Sequence, residues 1–144
     1  MKNIIGLFVI GVMAFFFAPQ QVNAQCSTEL YVTKSMKALS KGYQFSKSYR
    51  IDGRNGTRKT IKYTCVFAKD TSYEIAMRGQ DGDAEGMIAT LYDAKRNKQI
   101  TSFIGNKFHN SWRFKCTATG IYYLHFTFKD SKSYCGAAVL GFKR

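Results

Sequence analysis

The chain has 144 residues, with 22 Lys and Arg against nine Asp and Glu, a net charge of +13. That length is expected to hold one core, and the excess of positive charge favours anionic partners without naming one.

The amino terminus has the pattern of an export leader. Lys2 is followed by the apolar run 4–18 and then by Val22-Asn23-Ala24, a small-residue cleavage site. A membrane span needs about 20 apolar residues, and Pro19 and Gln20 interrupt this one, so no span is expected after processing. Cleavage after Ala24 makes 1–24 a signal peptide and 25–144 a single domain, exported to a periplasm or secreted. Lipidation at Cys26 would want a small residue before it, and Gln25 stands there. Removing Lys2 from the 22 basic residues, against nine acids, leaves the mature domain at +12. All four cysteines, Cys26, Cys65, Cys116 and Cys135, lie in that domain, and an even count in an exported chain predicts two disulfides and no free thiol.

Leu30, Val32, Met36, Leu39 and Tyr43 recur at close to helical spacing, with Ser27 placed to cap, Glu29 in the first turn and Gly42 to end the helix. A short amphipathic helix of this kind is expected to cover an edge or end of a sheet. From Tyr43 onward short strands alternate with turn residues. The first spans 43–51, and Asp52-Gly53 with Asn55-Gly56 supply the positive backbone angles of a hairpin to a second at 60–67. There Ile61, Tyr63, Cys65 and Phe67 share one face. Strand 72–78 turns Tyr73, Ile75 and Met77 inward and Glu74 and Arg78 outward, and strand 87–92 is apolar on both sides, as for a strand lying between others. A strand at 99–104 follows, then Trp112, Phe114 and Cys116 alternating with Arg113 and Lys115. From Gly120 to Phe128 the composition is that of a central strand, with Tyr122, Leu124, Phe126 and Phe128 on its core face and Ile121, Tyr123, His125 and Thr127 on the other. The last strand runs from about Cys135 to Phe142.

About eight strands, one proline and no long linker predict an all-β fold, an antiparallel β-sandwich of jelly-roll type with one short N-terminal helix. IKYTCVF before a turn and SYEI is echoed by WRFKC before TATG and YYLHF, with Cys65 and Cys116 at matching places. If those two strands are neighbours, Cys65–Cys116 is one bridge and Cys26–Cys135 the other, out of three possible connectivities.

The stretches GQDGDAEGMIATLYD and FKCTATGIYYLHFTF resemble the bacterial pre-peptidase C-terminal domain, over roughly residues 60–140. That family is a β-sandwich accessory module of secreted proteins, so the resemblance implies binding or folding assistance and no catalysis. The leading helix, the cysteines and the lack of an attached peptidase depart from it. The chain also looks like small stand-alone exported proteins ending in CG-x-x-VLGFK.

Asp81-Gly82-Asp83-Ala84-Glu85-Gly86 matches the first half of a calcium loop, but its twelfth position is Tyr92 where a bidentate glutamate belongs. A surface turn accounts for the same residues, so no metal is expected, and Asp81, Asp83 and Glu85 are the residues that would have to hold one. His109 and His125 stand in no nucleophile motif, and oxidised thiols are neither nucleophiles nor zinc ligands. No cofactor and no catalytic residue are expected. The basic residues Arg54, Arg58, Lys59, Lys95, Arg96 and Lys107 lie in turns, where side chains can hold phosphate, sulfate or carboxylate groups. No nucleic-acid motif accompanies them. The function expected is a non-catalytic binding or accessory module for an envelope protein, an anionic polysaccharide or lipopolysaccharide, and the alternative is a small hydrolytic enzyme of unfamiliar type.

Overall fold

Alternation along each strand decides which side chains face inward, and the computed structural model, which describes residues 26–80 and 82–144, puts those inward faces against one another. Residues 1–25, which include the expected leader 1–24, and Asp81 lie outside the described residues. Helix α1 (Thr28–Lys37) is followed by β1 (Gln44–Asp52), a single 3-10 turn (Arg54–Gly56), β2 (Thr60–Phe67), β3 (Ser72–Gly79), β4 (Met87–Tyr92) and β5 (Lys98–Thr101). Then come β6 (Phe103–Ile104), β7 (Lys107–Phe108), β8 (Ser111–Lys115), β9 (Gly120–Phe128) and β10 (Cys135–Lys143).

Two antiparallel sheets result, ordered β1-β10-β3-β8 and β2-β9-β4-β5, with β6-β7 a separate small hairpin. Without that hairpin the eight remaining strands have the order of a jelly roll. β9 is central in the second sheet, its Tyr122, Leu124 and Phe126 buried and Phe128 packed at the core margin, and β4 lies between β9 and β5 as its two apolar sides require. The core is aromatic in one half, where the Phe67 and Tyr73 rings stack at 3.9 Å and Phe67 and Tyr122 at 5.1 Å. Both sides of the sandwich are tied shut. Tyr63 of β2 donates its hydroxyl to the Arg50 carbonyl of β1 at 2.7 Å, and Trp112 Nε1 of β8 donates to the Ala89 carbonyl of β4 at 3.2 Å.

Four expectations are corrected. Segments β1 and β2 are no hairpin, because the connection 53–59 crosses from one sheet to the other, so each strand pairs with a distant one. The expected strand 99–104 is broken at Ser102, whose buried hydroxyl accepts the Ala89 N–H at 2.9 Å and ends the ladder with β4. α1 covers the outer face of the first sheet instead of an edge or end, packing mainly on β10 and β3. Its inward stripe is rotated from the apolar one, since Leu30 and Met36 are 56% and 44% exposed while Tyr31 and Ser35 are buried. The Cys26–Cys135 bond and the Ser35 hydroxyl donating to the Ala137 carbonyl at 3.1 Å fix that rotation. Ser27 stands at the cap position without a side-chain capping bond.

The fourth correction concerns the thiols. Cys26 and Cys135 are bonded, but Cys65 and Cys116 are both free and buried. β2 is the edge of the second sheet that faces β1, and β8 is the edge of the first sheet on the far side, so the two cysteine strands are not neighbours. Each sulfur has its own partner instead. Cys65 Sγ is 3.1 Å from the Tyr49 hydroxyl, and Cys116 Sγ is 3.1 Å from the Ala118 carbonyl.

Candidate functional site

The loops gather at the two ends of the sandwich, and register assigns them. Asp52, Thr60, Met87, Phe128 and Cys135 all close strands at one end, which is also where the disulfide lies. Arg54, Arg58 and Lys59 are exposed on the connection 53–59 at this end. Lys95 and Arg96 occupy the β4–β5 turn at the opposite end, and Lys107 belongs to the separate β6-β7 hairpin. The six basic residues therefore make no single patch. Three stand together.

The connection that carries them is tightly held. Asp52 Oδ1 accepts the Arg54 N–H at 2.9 Å, Gly53 donates its N–H to the Tyr134 carbonyl at 2.8 Å, and Arg58 donates its N–H to the Gly53 carbonyl at 2.9 Å. Arg54 and Asn55 are consecutive non-glycine residues in left-handed backbone, at φ 47 and 53, a conformation that costs an arginine energy and persists only where the surroundings impose it. Gly56 follows at φ 90, and a Cβ there would stand 3.1 Å from the Tyr134 ring. The Asn55-Gly56 pair thus supplies positive angles as its residue types predict, while Gly53 does not and Arg54 does.

Beside this loop lies an open cleft of about 540 Å³ lined by Tyr31, Arg50, Asp52, Arg54, Gln80 and Tyr134 around the disulfide. Arg50 donates to Asp52 Oδ2 at 3.1 Å, so the pair is locally neutral and the free guanidinium in the cleft is that of Arg54. Tyr31, Gln80 and Tyr134 were not singled out by sequence. The adjacency of Tyr134 to Cys135 was the one available signal, because a bridge from Cys26 to Cys135 brings the first turn of α1 to that spot.

The acidic turn is built into the fold. Asp83 Oδ1 accepts from Asn110 Nδ2 at 2.7 Å, the Ala84 N–H donates to Asn110 Oδ1 at 2.8 Å, and Ala84 is buried. Glu85 is exposed, and among the described residues no three His, Cys, Asp or Glu side chains gather as metal ligands. His109 is an exposed loop residue. His125 is half-buried on the outer side of β9 with its ring centroid 4.8 Å from that of Tyr92, and its Nε2 is buried without a hydrogen-bond partner among the described residues. Burial, then the charges of Lys62 and Arg96, hold its imidazole below the usual histidine range. Arg96 itself stacks on Tyr123, its guanidinium carbon 3.7 Å from the ring centroid.

No family model and no curated protein matches this sequence. Among the described residues no helix is long and apolar enough to cross a membrane, and the disulfide fits an oxidising compartment. Several solved structures are similar, among them the following two. Aeromonas hydrophila PliG, a periplasmic lysozyme inhibitor of g-type lysozyme, is 13% identical over 73% of this chain and 91% of that one, with a TM-score of 0.46. The chain also resembles the pre-peptidase C-terminal domain of a collagenase from Bacillus anthracis, at 22% identity over 67% of this chain and 86% of that one, with a TM-score of 0.47.

Proposed function

We propose that this chain is an exported, non-catalytic binding module, released from its leader after Ala24, that holds an anionic envelope polymer at the disulfide end. One observation carries the reading: Arg54, Arg58 and Lys59 stand exposed on one connection whose backbone is pinned in left-handed geometry beside an open cleft. Backbone strain of this kind is held only where neighbouring structure over-determines it, and it concentrates at ligand-binding loops. The disulfide, the Tyr134 carbonyl and Asp52 supply that constraint here, so the basic side chains are presented on a preformed support. Phosphate or sulfate groups of lipopolysaccharide, or carboxylates of an acidic polysaccharide, are the chemistry such a loop would recognise.

The test is a titration of the mature protein against lipopolysaccharide and an envelope polysaccharide at two salt concentrations, repeated with the Arg54→Gln, Arg58→Gln, Lys59→Gln triple variant. Weaker binding and a flatter salt dependence in the variant are expected, because fewer counterions are released. Unchanged affinity and slope would remove the loop from the site, and no binding by the native protein at low salt would end the anionic-polymer reading.

A further inference from the structure

The two outer faces of the sandwich are dressed unequally. α1 lies over the first sheet, whereas no described helix or strand lies across the second. Alternation fixes what that bare face carries. Register sets Lys62, His125, Thr90 and Thr101 side by side across all four strands, with the two threonine hydroxyls 3.0 Å apart. In the next row stand Thr64, Tyr123 and Tyr92, with the Arg96 guanidinium laid on Tyr123. Because Ser102 turns into the sandwich, Phe103 turns out, and Lys129 sits with its ammonium 4.5 Å from the Phe103 centroid at the far end of the same face. No carboxylate belongs to these rows. Asp93, at the end of β4, accepts from Asn97 and Gln99 instead.

We propose that the outer face of β2-β9-β4-β5 binds an acidic polysaccharide, a polymer of uronate-type sugars lying along β9. Lys62, Arg96 and Lys129 pair with its carboxylates. The Thr101 and Thr127 hydroxyls meet its sugar hydroxyls, with Thr101 held by the buried Thr90 hydroxyl behind it. Tyr123 and Phe103 act as posts that hold Arg96 and Lys129 in place, which lowers the cost of ordering those long side chains on binding. Tyr123 to Lys129 spans six residues of strand, about 20 Å, the length of a short oligosaccharide. A nucleic acid would need bare ring faces for its bases, and here the Tyr123 and Phe103 rings are capped by cations. An acidic protein would need a broad apolar centre to bury, and here the middle mixes Lys62, His125 and threonines with the partly buried Ile88, Tyr92 and Tyr123, while the exposed Val66 and Ile121 stand at the rim. The buried, unpartnered His125 Nε2 lies in the centre of this face. His125 faces Lys62 on β2, Thr90 and Tyr92 on β4, and Arg96 from the turn, so neutralising the two cations with a bound carboxylate favours its protonation.

The inference rests on the binding-module reading but not on the loop 53–59, and one experiment separates them. The mature protein is titrated calorimetrically with oligogalacturonate, with a neutral dextran oligomer and with polyglutamate of equal charge, at constant salt. Oligogalacturonate is expected to bind, dextran not, and polyglutamate about tenfold more weakly for want of sugar hydroxyls. Lys62→Gln with Lys129→Gln, both exposed and harmless to the core, should weaken oligogalacturonate binding about tenfold. The native protein is expected to bind oligogalacturonate more tightly at pH 5 than at pH 7, and His125→Gln should abolish that strengthening. Equal affinity for polyglutamate, or an unaffected Lys62→Gln, Lys129→Gln variant, overturns the proposal. If only the Arg54→Gln, Arg58→Gln, Lys59→Gln variant weakens binding, the module reading stands and this site falls; if neither oligogalacturonate nor polyglutamate binds the native protein, this site falls and the lipopolysaccharide titration decides the module reading.

Discussion

Tyr49 and Cys65 form a buried polar pair in an otherwise apolar core, the hydroxyl and the sulfur 3.1 Å apart, and burial pushes both groups above their ordinary pKa ranges. A thiol so placed is hard to ionise and inert. Under native conditions neither Cys65 nor Cys116 should react with iodoacetamide, and in denaturant without reductant two thiols per chain should be alkylated, counted by mass spectrometry. Tyr49→Phe leaves the sulfur without its partner and should cost about 1 kcal/mol in a urea melt. His125 gives a pH signature in the free protein. Its folded pKa is depressed below the unfolded value of about 6.5, so the unfolded state binds protons first and stability is lost as pH falls through that window. Thermal melts at pH 7.5 and 5 should show a smaller decrease for His125→Gln than for the native protein, and an identical decrease would assign the acid sensitivity to other groups. The free thiols were not legible in the sequence, because an even cysteine count says nothing about which strands become neighbours, and the pairing depended on β2 and β8 being adjacent.

Elements with both faces specified by composition were the legible ones. β9 carries four core residues in strict alternation, and its bounds, its faces and its central place all follow from that pattern. Leu124→Asp or Phe126→Asp puts an unpaired charge into this core and should prevent accumulation of folded protein, while Thr127→Asp on the outer side should shift the melting temperature by no more than a few degrees. Equal expression and melting of Phe126→Asp and Thr127→Asp would reverse the face assignment. Elements whose position depends on long-range partners were not legible. The connection 53–59 has hairpin chemistry yet crosses between sheets, because β1 finds β10 and β2 finds β9. α1 shows an apolar stripe whose phase is overridden by the covalent tie at Cys135 and by Glu74, a buried carboxylate that accepts from the Ser40 backbone N–H at 3.1 Å and the Ser40 hydroxyl at 3.0 Å. The bridge closes a separation of 109 residues, and its loss releases chain entropy in the unfolded state worth about 5 kcal/mol. Cys26→Ser with Cys135→Ser should therefore lower stability by several kcal/mol in denaturant titration and expose the outer face of the first sheet, read as increased amide exchange in α1.

At the scale of the whole molecule, charge is the least neutralised feature. The full chain carries +13 and residues 25–144 carry +12, and among the described residues the ion pairs are Arg50 with Asp52 at 3.1 Å and the longer Arg113–Glu74 contact at 3.9 Å. Basic residues in turns were legible in the sequence as candidates, but their division between two ends and a separate hairpin was not, because only strand register assigns a loop to an end. The cationic face of the second sheet was missed for a different reason: Lys62, Arg96 and Lys129 lie far apart in sequence and converge only when β2, β9 and the β4–β5 turn are assembled. So large an unbalanced charge on one small domain repels itself, and the unfolded chain, being more expanded, suffers less of that repulsion. Salt should reverse the disadvantage, since the screening length falls from about 30 Å at 0.01 M to about 8 Å at 0.15 M. The melting temperature of the ligand-free protein is thus expected to rise by a few degrees between those two concentrations of sodium chloride. Sulfate at equal ionic strength should raise it further, because a divalent anion with hydrogen-bond acceptors can occupy the basic loop and the cationic face directly. A melting temperature that falls with sodium chloride would mean that screened attractions outweigh the repulsion, and one that responds equally to chloride and sulfate would show that neither cationic surface selects an oxyanion.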